Sequence, residues 1–204
     1  MKTLLLLLAC LLPAMAQQQP TSAELSRDET PAKAIMRTFE FQEYDVRSAA
    51  EAMPEDKWDH RPVQTGQFKN EKPQFGPSEV RTFAEQVKHV ACSNFAFAAE
   101  LDGAKPPEAC DKGGPSLAHT RAELLTYLRD SFAALNKSLN AITVKNMFDP
   151  MHGPYATPNT RLGLAAICVW HAADHYGQMV LYLRMNGIVP PSSRNPPPKL
   201  QEKY

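Results

Sequence analysis

The chain has 204 residues, with 22 lysines and arginines set against 22 aspartates and glutamates, for a formal charge of zero at pH 7. That balance, with no local basic patch, leaves no electrostatic footprint for nucleic acid or an anionic lipid surface, so neither is expected as a partner. Only 9 residues are glycine, and the length suffices for one domain to bury a real core without staples.

Residues 1–16 read as a secretory signal peptide: Lys2, the apolar run Leu4 to Leu12, then Ala14-Met15-Ala16 before Gln17-Gln18-Gln19, with cleavage expected after Ala16. The run is shorter than the roughly 20 residues needed to span a bilayer, and no later segment comes closer. A secreted or periplasmic chain without a transmembrane segment is therefore expected. The competing lipoprotein reading, with Leu7-Leu8-Ala9-Cys10 as acylation site, leaves a very short apolar stretch before Cys10. Residues 17–29 form a linker, 30–189 a helical domain and 190–204 a Pro-rich tail, read as extended over the surface or frayed.

The first helix is expected from Thr30-Pro31, where Thr caps and Pro suits the first helical position, to Met53-Pro54. The second should begin around Ser78 and run to Leu101, ended by Asp102-Gly103, with an apolar seam of Phe83, Val87, Val90, Phe97 and Leu101. For the third, Thr120-Arg121-Ala122-Glu123 is a capping box, followed at steps of three and four by Leu125, Leu128, Phe132, Leu135, Leu139 and Ile142. The fourth spans about Thr160 to Met185 and closes at Asn186-Gly187, with Pro190-Pro191 beyond. Arg61 to Pro77 and Phe148 to Pro158 read as loops. Four amphipathic helices with no convincing strand predict an all-α four-helix bundle.

Cys92, Cys110 and Cys168 remain once the signal is removed. An oxidising compartment favours one bridge plus one free thiol, with Cys92 and Cys110 the preferred pair. Three unpaired thiols, two of them buried, is the competing expectation.

The fourth helix breaks its own pattern. Its seam runs Leu164, Cys168, His171, His175, Gln178, Tyr182, so two imidazoles and an amide occupy mid-helix positions that should be apolar. Burying such groups without partners costs on the order of 1 to 3 kcal/mol each. A divalent metal would offset that cost, because residues four apart share a helix face and two imidazoles so placed can chelate one ion. A third ligand must come from another helix, and His89, beside the Val87/Val90 seam, is the other histidine well inside an expected helix. Against this, buried histidines are commonly satisfied by a carbonyl or an acid, and pairs at this spacing arise by chance. Ala172 stands where the His-Glu-x-x-His motif has its general base, so a metalloprotease of that kind is excluded. Asp174 lies about 100° around the helix from His175 and is expected to orient a ring nitrogen or face solvent. Gln178 and Tyr182 are the candidate contacts for a bound ligand; for Gln178, lining a pocket and capping a polar seam stand level. His60, His119 and His152 read as solvent-exposed, and Trp58, Trp170, Met179 and Met185 as packing residues.

The segment from His171-Ala-Ala-Asp-His175-Tyr-Gly-Gln178 through Tyr182-Leu-Arg184-Met-Asn-Gly187 to Pro191 resembles the last helix of the DinB-like superfamily. Arg81 to His89 is similar to that family's second-helix motif, and Met53-Pro54 with Trp58-Asp-His-Arg-Pro62 to its first interhelical segment. The resemblance implies an up-down-down-up bundle and a three-histidine site for zinc, nickel or a related divalent ion, with His89, His171 and His175 as ligands. It further implies a metal-dependent enzyme, either hydrolysing a small substrate or transferring a thiol to an electrophile. No general base can be named. A binding module holding a metal or ligand, and a plain structural bundle, are the other readings, and homodimerisation is common in bundles of this kind.

Overall fold

A computed structural model describes residues 29–62, 80–107, 110, 120–155 and 159–194. The signal peptide, nearly all of the linker, Ser78, His119 and residues 195–204 lie outside the described residues, as does most of the Arg61 to Pro77 loop. Four helices carry the fold: α1 (Pro31–Ala52), α2 (Phe83–Leu101), α3 (Arg121–Asn140) and α4 (Arg161–Met185).

Each helix starts where a hydroxyl can satisfy a free amide. Thr30 accepts from Lys33 N at 3.1 Å, with Pro31 at the first helical position, and Thr160 accepts from Gly163 N at 3.2 Å. Thr120 and Glu123 form the expected reciprocal capping box. A second such box moves the start of α2: Thr82 Oγ1 accepts from Glu85 N, while Thr82 N donates to the Glu85 carboxylate at 2.7 Å. The helix therefore begins at Phe83, not near Ser78, because two amides are satisfied at Thr82 at once. At the other end of the chain α4 stops at Asn186, and Gly187 supplies the left-handed turn with φ 74°.

Bonds between helices fix their directions. Cys92 meets Tyr127, Asn94 donates to Ser131 and Ser138 donates to Asp102, so α2 and α3 run parallel. Tyr182 near the end of α4 donates to Arg81 O ahead of α2, and Arg161 at the start of α4 donates to Leu101 O at the end of α2, so those two are antiparallel. Arg121 at the start of α3 donates to Glu51 O at the end of α1, making that pair antiparallel too. The course is thus up-down-down-up. The core holds Phe39, Val87, Leu128, Phe132, Leu135, Leu164 and Met179, each fully buried.

Several positions differ from expectation. Leu124, one full turn before Leu128, takes the buried position on α3, and Leu125 is half-buried. Pro150–Met151 and Asn159–Thr160 pair as two short antiparallel strands, β1 and β2, which close the loop ahead of α4. Met179 fills the core, but Met185 is 55 % and Trp170 is 64 % exposed, since their side of α4 faces away from the other helices. His60 is half-buried, its Nε2 enclosed without a partner among the described residues. The first tail residues neither extend nor fray: Pro191–Ser193 form a 3-10 turn, and Ser192 Oγ donates to the buried Asp45 carboxylate at 2.6 Å. A buried carboxylate needs such a donor. All three described cysteines are unpaired and buried, so the Cys92–Cys110 bridge is absent. Their sulfurs instead share the Tyr127 hydroxyl, at 3.4 and 2.7 Å.

Candidate metal centre

His171 and His175 sit one turn apart on α4, and the antiparallel α2 brings His89 between them in height. One ring nitrogen from each of the three lies within 4.8 Å of the others. The Nε2 atoms of His89 and His171 are 3.3 Å apart. Ring centroids are 4.6 Å apart for His89 and His175 and 4.4 Å for His171 and His175. Two nitrogens bound to one tetrahedral zinc at roughly 2.0–2.1 Å would themselves stand about 3.3 Å apart, so the His89–His171 spacing suits an ion between them.

Electrostatics keep these rings neutral. Burial, then the Arg81 charge and His175, lower the His89 pKa to about 4. Burial, followed by the two other histidines, lowers that of His171 to about 3. His175 is also lowered, chiefly by burial, with Asp174 opposing. Neutral imidazoles with converging lone pairs are the form a cation needs.

His175 has an outer partner that sequence reasoning passed over. Gln86 Nε2 lies 2.7 Å from His175 Nδ1 and also donates to Gln178 Oε1 at 2.6 Å. Gln178 Nε2 in turn donates to Asp174 Oδ2 at 2.8 Å. Gln178 thus joins a chain of amides leading from the histidine to an exposed carboxylate. The signal for Gln86 was present: it is an amide on the buried face between Phe83 and Val90, the same anomaly that marked His171. His171 Nδ1, by contrast, is buried with no partner among the described residues. Tyr182 is 4 % exposed and uses its hydroxyl on Arg81 O at 2.5 Å, with its ring 5.9 Å from that of Phe83. It pins α4 to the start of α2. His152 is exposed and is not one of the clustered histidines.

Beside the cluster opens a cavity of about 400 Å³, to which His89 and His171 contribute along with Phe97, Tyr155, Ile167 and Trp170. Cys92 and Cys110 lie in its lining as well. Phe97 stands edge-on to His171 with ring centroids 5.3 Å apart.

Residues 38–179 match the model of the DinB superfamily, and the chain belongs to that family. None of the curated proteins compared with the chain matches it. No helix among the described residues is long and apolar enough to cross a membrane.

Proposed function

We propose that the chain is a metal-dependent enzyme in which His89, His171 and His175 hold one divalent ion, with zinc or nickel the candidates that the family resemblance implies. The observation that carries this reading is the convergence of three ring nitrogens, from one buried and two half-buried histidines on two helices, next to a cavity. Three protein ligands are the number found in catalytic zinc sites, whereas structural sites are closed by four. A bound ion would supply Lewis-acid polarisation of a substrate and an acidified water near neutral pH. The protein's own part is to hold the imidazoles neutral, to fix His175 through Gln86, and to receive the substrate in the cavity flanking His89 and His171.

Hydrolysis of a small substrate is the reaction favoured, with thiol transfer to an electrophile as the alternative. Export after cleavage near Ala16 belongs to the same proposal: low-molecular-weight thiol cofactors are mainly cytosolic, which disfavours the transfer reaction outside the cell. A non-enzymatic binding module has one observation on its side. No acid lines the cavity among the described residues, so no carboxylate stands ready as general base.

Metal analysis of untagged protein tests the centre. One equivalent of ion per chain is expected, falling by at least about tenfold in occupancy for His171→Ala or His175→Ala, in keeping with the loss of one of three ligands. Unchanged content in both variants would overturn the proposal. Full metal content with no turnover on ester, amide and thiol-transfer panels would leave the binding module.

A further inference from the structure

The cavity beside the histidines has an unusual lining. None of its described residues is an acid, a lysine or an arginine. Apart from the two imidazoles, its polar groups are the Ser93 and Tyr155 hydroxyls, the Trp170 indole N–H and the thiols of Cys92 and Cys110. Burial, then Cys92, pushes the Cys110 pKa up to about 12, and both sulfurs are tied to the Tyr127 hydroxyl. The cation whose field reaches the imidazoles is Arg81. Its backbone carbonyl accepts from Tyr182, two turns past His175, whereas Ile167 and Trp170 precede His171, so the Arg81 backbone lies at the other end of the centre, and Arg81 is not among the lining residues.

The rest of the wall is aromatic. Phe97 and Tyr155 stand edge-on with centroids 5.2 Å apart. Tyr155 is 47 % exposed, and Trp170, adjacent in sequence to His171, is 64 % exposed. No packing partner in the bundle explains a tryptophan left open at this place. A charge on the part of a ligand that rests on this wall, away from the ion, would lose hydration with no charged side chain among the described lining residues to replace it. An apolar ring would cover the exposed aromatic faces at a gain of about 25 cal/mol per Å² removed from water. The volume lies toward the lower end of the roughly 300–1,000 Å³ typical of small-molecule pockets.

We propose that this cavity is the substrate subsite of the metal centre and that it selects small molecules whose body is aromatic and uncharged. The body rests on Phe97, Tyr155 and Trp170, and the polar, metal-seeking end points to His89 and His171. This rests on the metal-centre reading above.

The test uses the full chain loaded with cobalt(II), whose absorption bands report uptake and then ligand binding. Three probes are titrated: imidazole, 4-phenylimidazole, and 4-phenylimidazole carrying a para-carboxylate. The phenyl ring is expected to tighten binding by about tenfold or more over imidazole, as burial of an aromatic ring implies. The carboxylate should abolish that gain. Trp170→Ala and Tyr155→Ala, both at exposed positions and still taking up cobalt, should narrow the gap between phenylimidazole and imidazole to within about threefold. If cobalt binds and the phenyl ring adds nothing, or the carboxylate analogue binds as tightly, the subsite is wrong and the metal centre stands. If the chain takes up no cobalt, the metal centre fails and the subsite falls with it.

Discussion

The side-chain nitrogen of Gln86 lies 2.7 Å from Nδ1 of His175, across the interface between α2 and α4. With the amide nitrogen on this side, its N–H donates to a bare Nδ1. Turning the Gln86 and Gln178 amides together, at the loss of the Gln178–Asp174 bond, lets Nδ1–H donate to the Gln86 oxygen and leaves Nε2 bare, the tautomer that an ion requires at Nε2. Either way Gln86 sets the ring's orientation. Gln86→Leu should therefore weaken metal affinity by about 10- to 100-fold, the usual effect of removing a partner behind a ligand. Competition against a chromogenic chelator measures it, and an affinity within about twofold of the parent chain would show that His175 needs no such partner.

The reciprocal cap at Thr82 and Glu85 sets where α2 begins, one turn ahead of Gln86 and two ahead of His89. Thr82→Ala removes one of its two bonds and should cost about 0.5–2 kcal/mol. For a domain of this size that is a fall of roughly 2–4 °C in Tm for each kcal/mol lost. Urea titration with and without the ion checks it. Glu85→Ala should give a loss of the same order, and no loss in either variant would mean that packing alone fixes the helix start.

Asp45 is 3 % exposed, and its carboxyl pKa is raised, by burial first, with the Ser192 hydrogen bond opposing. A folded pKa above the unfolded one, near 3.9, means that the folded state holds this proton more tightly. The associated stability is fully present below the unfolded pKa and is lost as pH rises through the folded pKa. At neutral pH the charged Asp45 therefore works against folding. Asp45→Asn keeps an acceptor for Ser192 and removes the charge. Melting curves at pH 4 and pH 7.5 should show the variant gaining on the parent chain at the higher pH, by an amount on the order of 1 kcal/mol. A parent that instead gains on the variant as pH rises would contradict the sign.

Cys92, Cys110 and Cys168 are unpaired, and burial raises the thiol pKa of both Cys110 and Cys168. Thiolates are the reactive form. Native protein should therefore resist iodoacetamide at Cys110 and Cys168 at pH 8, and denatured protein should label at all three positions. Peptide mass spectrometry resolves the sites. A Cys92–Cys110 pair that labels only after reduction would show a bridge in place of the shared Tyr127 contact.

The helix ends and the histidine cluster were legible because each rests on a local pattern. Thr30-Pro31, the Thr120/Glu123 box and Asn186-Gly187 act within a few residues, and His171 and His175 interrupt an apolar stripe that needs no tertiary knowledge to see. What escaped depends on neighbours from elsewhere in the chain. Thr82 opens a box as clear as that of Thr120, but Ser78 lay upstream as a rival cap, and the choice depends on the His60 and Trp58 carbonyls that accept from Phe83 N and Ala84 N. Ser192 is tied down by a carboxylate 147 residues away. Trp170 was read as packing because most tryptophans pack, and only the arrangement of the other three helices leaves it uncovered.

His89 and His171 are 82 residues apart, on antiparallel rods that follow one another only after α3 has been placed. A nascent chain ending before α4 carries one of the three imidazoles and has no chelating pair to offer. An ion held by the proposed centre would then be taken up only once the last helix has been made, from whatever metals surround the protein at that moment. On that proposal its identity would be decided by the compartment in which folding finishes, and the ribosome's surroundings would have no say in it unless the two coincide.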